Sequence, residues 1–301
     1  MTKSLHVHNQ SILVGRGPIR VARLEHEWYE DIVDPVGTIA RLREKPVKAD
    51  LFTFWQRPPD LTPHHSYYWE WDAIAALPIS SYEHWWSTQI KSRTRGIIRK
   101  AAKEGVEVRE VDFSDDFVRG MVAIFNESPI RQGRPFWHYG KDFDTVKHQF
   151  SRYLFREHLL GAFHRSELIG FMMLGVADRY AVTGQIISKL SERDKGVNNA
   201  LIAKAVELCA RRGLESLVYV RWDDGSLAEF KRRNGFEKVD VPRYYVPLSA
   251  KGALALRVGC HAGFSRLMPQ RSLARLKQLR TAAYRAIYSV KYRHAVTQLE
   301  S

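Results

Sequence analysis

Arg193-Asp194-Lys195-Gly196-Val197-Asn198 carries the clearest chemistry in the chain, because it joins a strand-like run, Ala181 to Leu190, to an apolar helical run, Asn198 to Arg212. The first N–H groups of a helix have no intrahelical acceptor and lie at the positive end of its dipole. A strand-to-helix loop with glycine, arginine and lysine is therefore a seat for phosphate. GxxxxGK[ST] and GxGxxG are both absent, which argues against a P-loop NTPase and a Rossmann dinucleotide site. A second concentration of reactive side chains is Asn126, Glu127, Arg131, Gln132, Arg134, Trp137, His138 and Tyr139, in and just before a loop broken by Pro and Gly. Loops so dense in Arg, His and Trp carry function more often than average loops do. Cys209 and Cys260 have neither CxxC nor Cys/His spacing, and His64 and His65 lack further ligands, so no metal is predicted.

The elements that must position these residues follow from periodicity and caps. Gln10 to Arg23, Ala49 to Trp55 and Tyr67 to Ala76 read as strands, which gives residues 1–84 a β-rich character. Ser80 or Ser81 caps a helix expected to run through Glu83 to Lys103 and to stop at Gly105. Val106 to Val111 is a strand, Ser114 caps a helix over Asp115 to Asn126, and Asp142 to Glu157 is amphipathic and helical. Three strands follow, His158 to Phe163, Glu167 to Ala177 and Ala181 to Leu190. After the helix ending near Arg212 come a strand, Glu215 to Val220, a short helix from Ser226 to Arg233, and a last strand, Phe236 to Leu248.

The 301 residues hold 47 Lys or Arg against 33 Asp or Glu, a net charge of +14, with 45% hydrophobic residues. That composition is globular, and the longest uncharged apolar stretch, Leu168 to Ala177, is far short of a membrane span. Residues 1–17 hold no continuous apolar run, so no secretory signal is expected and the expected location is cytoplasmic. Ten Lys or Arg and one acid, Glu300, fall in residues 249–301. There Leu273, Leu276, Leu279, Ala283, Ile287 and Val290 recur every three or four residues, the pattern of a basic amphipathic helix. Such a helix packs on its own domain, lies on an anionic membrane surface at the inner face, or contacts RNA.

In this element order the loop resembles the coenzyme A signature Q/R-x-x-G-x-G/A of the GNAT superfamily of N-acyltransferases, with Arg193, Gly196 and Asn198 at its defining positions. Ala228 to Phe236 is similar to the family's A-x-x-x-Y-x-x-x-G-F segment; Gly235-Phe236 matches, and Lys231 stands where the family has tyrosine. The basic run Arg93 to Val108 and the helix start Gly196-Val197-Asn198-Asn199-Ala200-Leu201 resemble the Fem-type, BioF2-like acetyltransferase branch. The likeness covers Trp85 to Leu248.

The resemblance implies an α/β (α+β) GNAT-like fold with a mixed, mostly antiparallel sheet flanked by helices. Its domain spans residues 85–248, between the β-rich segment 1–84 and the basic helical tail 249–301. It implies acyl transfer from an acyl-CoA, acetyl-CoA first, to an amine on a small molecule or cell-envelope precursor. The donor would be held by Ile186, Ile187, Ser188, Arg193, Lys195, Gly196, Val197, Asn198 and Lys231, with a backbone N–H near Ile186 to Ser188 receiving the oxyanion. Asn126, Arg131, Arg134, Trp137 and Trp222 would meet the acceptor; Glu127, His138 or Asp223 would take its proton, and Tyr244, Tyr245 or Lys231 would protonate the leaving group. Two alternatives stand beside this one. Fem-like members use aminoacyl-tRNA, and a catalytically silent GNAT-fold module would dock on membrane or polymer.

Overall fold

A computed structural model describes residues 3–44, 48–58, 60–152, 154, 157–222 and 225–261, and helical positions between 275 and 286. Along the chain run β1 (Lys3–Val7), β2 (Gln10–Val14), β3 (Val21–Leu24), α1 (Pro35–Glu44), β4 (Leu51–Trp55) and β5 (Tyr68–Pro78). Then come α2 (Tyr82–His84), which widens into a π-helical turn (Trp85–Gln89), α3 (Ser92–Lys103), β6 (Glu107–Val111) and α4 (Asp115–Asn126). A small hairpin, β7 (Ile130–Arg131) and β8 (Arg134–Pro135), precedes α5 (Phe143–Ser151), β9 (Glu157–His164), β10 (Glu167–Ala177) and β11 (Tyr180–Ser188). The chain closes with α6 (Val197–Arg211), β12 (Ser216–Arg221), α7 (Ser226–Arg233), β13 (Glu237–Pro247) and α8 (Ala250–Arg257).

Two compact units result, Met1–Ile74 with Val239–Arg275, and Ala75–Lys238 with Leu276–Ser301. In the first, β1 to β3 pair antiparallel in sequence, β3 pairs parallel with β4, and β4 pairs antiparallel with β13. Period-two burial in β2 sends Ile12 and Val14 into a core with Leu24, Ile39, Leu42, Phe52, Phe54 and Tyr244.

The second unit has strand order β6-β9-β10-β11-β12. All its pairings are antiparallel except β11 with β12. β10 is covered on both faces, so it reads as an unbroken apolar run whose residues alternate between two cores. Met172 and Leu174 pack with Leu201, Ala205 and Val206 of α6, while Phe171 and Met173 pack with Val118, Met121 and Phe125 of α4. This is the mostly antiparallel, helix-flanked sheet that the family resemblance implied.

Four local expectations change. The helix expected over Asp142 to Glu157 ends at Ser151, and Glu157 opens β9. Residues 10–23 form two strands joined through a turn in which the Gly15 N–H donates to the Val21 carbonyl at 2.9 Å. The helix expected from Glu83 to Lys103 breaks at Ile90 and Lys91, both extended, and Arg95 Nη1 donates to the freed carbonyls of Trp86 (2.9 Å) and Ile90 (2.5 Å). The Pro- and Gly-broken loop contains the β7–β8 hairpin. Within the tail, residues 262–274 and 287–301 lie outside the described residues. Among the described residues, no helix is long and apolar enough to cross a membrane, and no group of His, Cys, Asp and Glu is placed to hold a metal ion.

Candidate functional site

β11 and β12 pair only at Tyr180↔Ser216, Ala181↔Leu217 and Val182↔Val218. Beyond that point β11 stays on β10 as far as Gly170↔Ser188, while β12 runs on to Arg221, so the two neighbours part. A bulge at Gly184, passed over between Leu174↔Thr183 and Met173↔Gln185, adds local bend and twist to β11. In β12, Val220 sits at φ +36°, a conformation that a β-branched residue takes only where its surroundings impose it.

A cavity of about 310 Å³ occupies the opening. β11 contributes Ile186 and Ser188, β12 Tyr219, and α7 Ser226, Leu227 and Phe230. Arg193, Gly196, Val197, Asn198 and Asn199 come from the loop and the start of α6. Gly196 is required twice. It takes φ +68°, and a Cβ there would lie 2.5 Å from Ile97 Cγ2 on α3. The N–H groups of Asn199 and Ala200 return to the Gly196 carbonyl at 3.0 and 3.1 Å, leaving those of Val197 and Asn198 without a helical acceptor. Arg193 is exposed and pairs with no carboxylate among the described residues. The buried Oδ1 of Asn198 has no hydrogen-bond partner. Lys195 turns to Glu192 at 3.3 Å, and Lys100 Nζ donates to the Asp194 carbonyl at 3.1 Å, fixing the loop from both sides.

Of the residues predicted to hold a donor, Ile186, Ser188, Arg193, Gly196, Val197 and Asn198 line this cavity together. Ile187 points to the opposite face of β11 and is buried with Phe125 and Phe171 beneath α4, as strand alternation requires. Lys231 is buried in α7; its ammonium donates to the Arg221 carbonyl and lies 4.4 Å from the centre of the Tyr219 ring, a cavity wall.

The acceptor-side residues divide by what they touch. Glu127, at the end of α4, accepts from Leu190 N (2.5 Å), Ser191 N (2.9 Å), Ser191 Oγ (2.8 Å) and Arg131 Nη2 (3.0 Å). Arg131 also donates to the carbonyls of Ser188 (2.7 Å) and Ile124 (2.8 Å). This nearly buried pair clamps the end of β11 and the loop after it onto α4 by charge-assisted hydrogen bonds. Asn126 closes the neighbouring loop, accepting from Gly140 N at 2.6 Å and donating to the Lys141 carbonyl at 3.2 Å. Gln132 and Gly133 both have positive φ, the primed turn that suits a two-residue hairpin, and the turn brings Gln132 to the cavity.

His138 is 1% exposed, stacked 4.3 Å from the Phe125 ring, and neither ring nitrogen has a partner. Burial, helped by the nearby Lys141 charge, pushes its pKa down to about 4, so the imidazole is neutral at ordinary pH. Arg134 is exposed. Trp137 is 66% exposed, with Lys141 Nζ 3.8 Å from its ring centre. Trp222 packs on the α6-side core under the Arg232 guanidinium. Tyr244 lies in the core of the first unit, stacked 5.1 Å from Phe54, donating to Gln56 Oε1 at 2.7 Å and accepting from His64 N at 2.9 Å. Asp223 is outside the described residues. Asn199, Tyr219, Leu227 and Phe230 were not singled out as site residues from sequence, and only the helix and strand periods around them could have hinted at their facing.

No protein-family profile matches the sequence, and no curated protein matches it. Solved structures do. A C-terminal domain assigned to a lysylphosphatidylglycerol synthetase from Agrobacterium fabrum superposes with TM-score 0.58 and 14% identity over 85% of this chain and 86% of that one. FemX gives TM-score 0.58 and 10% identity over 86% and 90%, and L-PGS from Bacillus licheniformis gives 0.57 and 14% over 87% and 89%. At these identities the likeness is one of fold, and the fold is GNAT-like.

Proposed function

We propose that this chain is an acyltransferase whose activated donor carries phosphate on its leaving group. The observation that carries the reading is the cavity where β11 and β12 part, with the start of α6 and the unpaired Arg193 in its wall. The donor's phosphate sits at Arg193 and the free N–H groups of Val197 and Asn198, and its acyl carbonyl lies between the parted strands. An amine attacks that carbonyl directly, the tetrahedral oxyanion accepts from a backbone N–H in the 186–188 stretch of β11, and the leaving group departs as the carbonyl re-forms. Glu127 is committed to Leu190, Ser191 and Arg131, and His138 is sealed in apolar packing, so Asp223, just beyond Trp222, is the carboxylate we assign to the amine's proton. Lys231, held against Tyr219 and by the Arg221 carbonyl, is the group we assign to protonate the departing leaving group.

Acyl-CoA, with acetyl-CoA first, is the donor this reading names, and an amine on a cell-envelope precursor its acceptor, met in the cytoplasm. A second reading replaces the thioester by aminoacyl-tRNA. It is favoured by Asn198 in place of the small residue of the coenzyme A signature, and by the fold shared with FemX and with a domain named for lysylphosphatidylglycerol synthesis.

Isothermal calorimetry against acetyl-CoA, longer acyl-CoAs and free coenzyme A tests the donor. The protein is expected to bind, and Arg193→Ala to weaken binding about tenfold, the worth of one charge-assisted hydrogen bond, with unchanged melting temperature. Gly196 is unsuitable for this test because any side chain there strikes Ile97. Failure of every thioester, with salt-sensitive binding of aminoacyl-tRNA, transfers the conclusion to the second reading. Failure of both donors overturns the proposal.

A further inference from the structure

Outside the cavity, the described part of the tail shows a feature that the acyl-transfer reading leaves unused. Positions 275, 276, 278–280, 282–284 and 286 are helical. Leu276 and Leu279 are 50% and 68% exposed, and Ala283 and Ala286 are exposed as well. These four positions are separated by three, four and three residues, so they form one stripe along one side of the helix. Arg275 and Arg280, both exposed, border it. An amphipathic helix that packs on its own chain buries such a stripe; here, among the described residues, Leu276, Leu279 and Ala283 are exposed and cations flank them.

We infer that this helical face docks on an anionic lipid surface, lying in the plane of the interface with Leu276 and Leu279 inserted and Arg275 and Arg280 at the headgroups. The charge around it decides the occupant. Residues 249–301 carry ten Lys or Arg against one acid, so a second copy of the same segment would bring like charges together. A nucleic-acid backbone would satisfy the arginines but leave the exposed leucines without a use. An anionic bilayer uses both, since interfacial binding sums buried apolar area and attraction of Lys and Arg to acidic headgroups. This inference does not rest on the acyl-transfer reading.

Co-sedimentation of the full chain with phosphatidylcholine vesicles, with and without phosphatidylglycerol, at low and high salt, tests it. The protein should pellet with the phosphatidylglycerol vesicles, release as salt rises, and stay in solution with phosphatidylcholine alone. In the full chain, the double variants Leu276→Asp with Leu279→Asp and Arg275→Glu with Arg280→Glu should each lower vesicle binding about tenfold or more. Circular dichroism should be unchanged, because the substituted side chains are exposed. Arg193→Ala should bind vesicles like the parent, and the leucine variant should bind acyl donors like the parent, which separates failure here from failure of the proposed activity. The inference is overturned by absence of vesicle binding, by equal binding to neutral vesicles, or by a leucine variant that pellets as well as the parent. Dimerisation in light scattering that the leucine variant abolishes would make the face a self-association surface. RNA binding that competes with vesicles and is untouched by the leucine variant would make it a nucleic-acid surface. Either result also overturns the lipid assignment.

Discussion

Glu127 accepts from two backbone N–H groups, a hydroxyl and a guanidinium, and that set of donors defines what its loss would cost. Removing one member of a nearly buried ion pair leaves the other charge uncompensated, so Glu127→Ala should lower the unfolding free energy by about 3 kcal/mol in urea melts. Unchanged stability with lost turnover would instead make Glu127 a proton acceptor for substrate. His138 supplies a test through pH. It is neutral in the fold with a pKa near 4, while the unfolded chain takes up its proton below the ordinary 6.5. The unfolded state therefore gains protons first as pH falls, and the stability this site supports is complete above 6.5, declines between 6.5 and about 4, and is constant below. Between pH 7 and pH 5 the loss should be about 2 kcal/mol. His138→Phe, which keeps the stack on Phe125, should remove that part of the pH dependence, measured as the difference in urea midpoints at the two pH values.

The start of α6 is positioned by its contact with α3 as much as by its own residues. Gly196→Ala places a methyl at φ +68° and 2.5 Å from Ile97 Cγ2, so it should cost about 2 kcal/mol, from conformational strain and overlap together. Adding Ile97→Ala should return the overlap part and leave the strain, a non-additivity that a double-mutant cycle on thermal melts would read. The break between the π-helical turn and α3 shows why one expectation at this scale missed. Ile90 and Lys91 have ordinary helix propensity, so nothing local marks a stop. The stop comes from Arg95, whose guanidinium takes the carbonyls of Trp86 and Ile90, and from Trp85, whose Nε1 donates to the Asn234 carbonyl at 3.0 Å. These are tertiary contacts that outweigh a weak local preference. The opposite holds at Gln132-Gly133, where a local turn-forming pair joins the two short strands β7 and β8.

At the scale of the molecule, a net charge of +14 makes the donor binding we propose an electrostatic matter. Acyl-CoA affinity in calorimetry should fall as salt rises. An acyl-pantetheine, which lacks the phosphates, should bind about tenfold more weakly or worse and show little salt dependence. Equal affinity for the two compounds would remove the phosphate from the account. The units divide the candidate residues as well: the cavity belongs wholly to Ala75–Lys238, whereas Tyr244 belongs to the core of Met1–Ile74 with Val239–Arg275. No periodicity distinguishes these placements, because β13 reads as one strand from end to end.

What the sequence determined is local in origin. Gly196 at a left-handed helix entry, Arg193 beside it, the caps at Ser81 and Ser114, and the 3.6- and 2-residue periods all act within a few residues, so they could be read directly. From these came the order of strands and helices and the loop that lines the cavity; the mostly antiparallel sheet followed from the family resemblance that this order and that loop carry. Only tertiary structure decided which way each candidate faces and what it meets. The parting of β11 from β12 depends on pairings between residues 36 positions apart, which no short pattern encodes. It sets Ile186 and Ser188 on the cavity and Ile187 in the core, brings in Tyr219 and Phe230, and leaves Glu127 holding Leu190 and Ser191, 63 and 64 positions away along the chain. Side-chain identity is written locally, but burial and hydrogen-bond partners belong to whichever distant segment the register delivers.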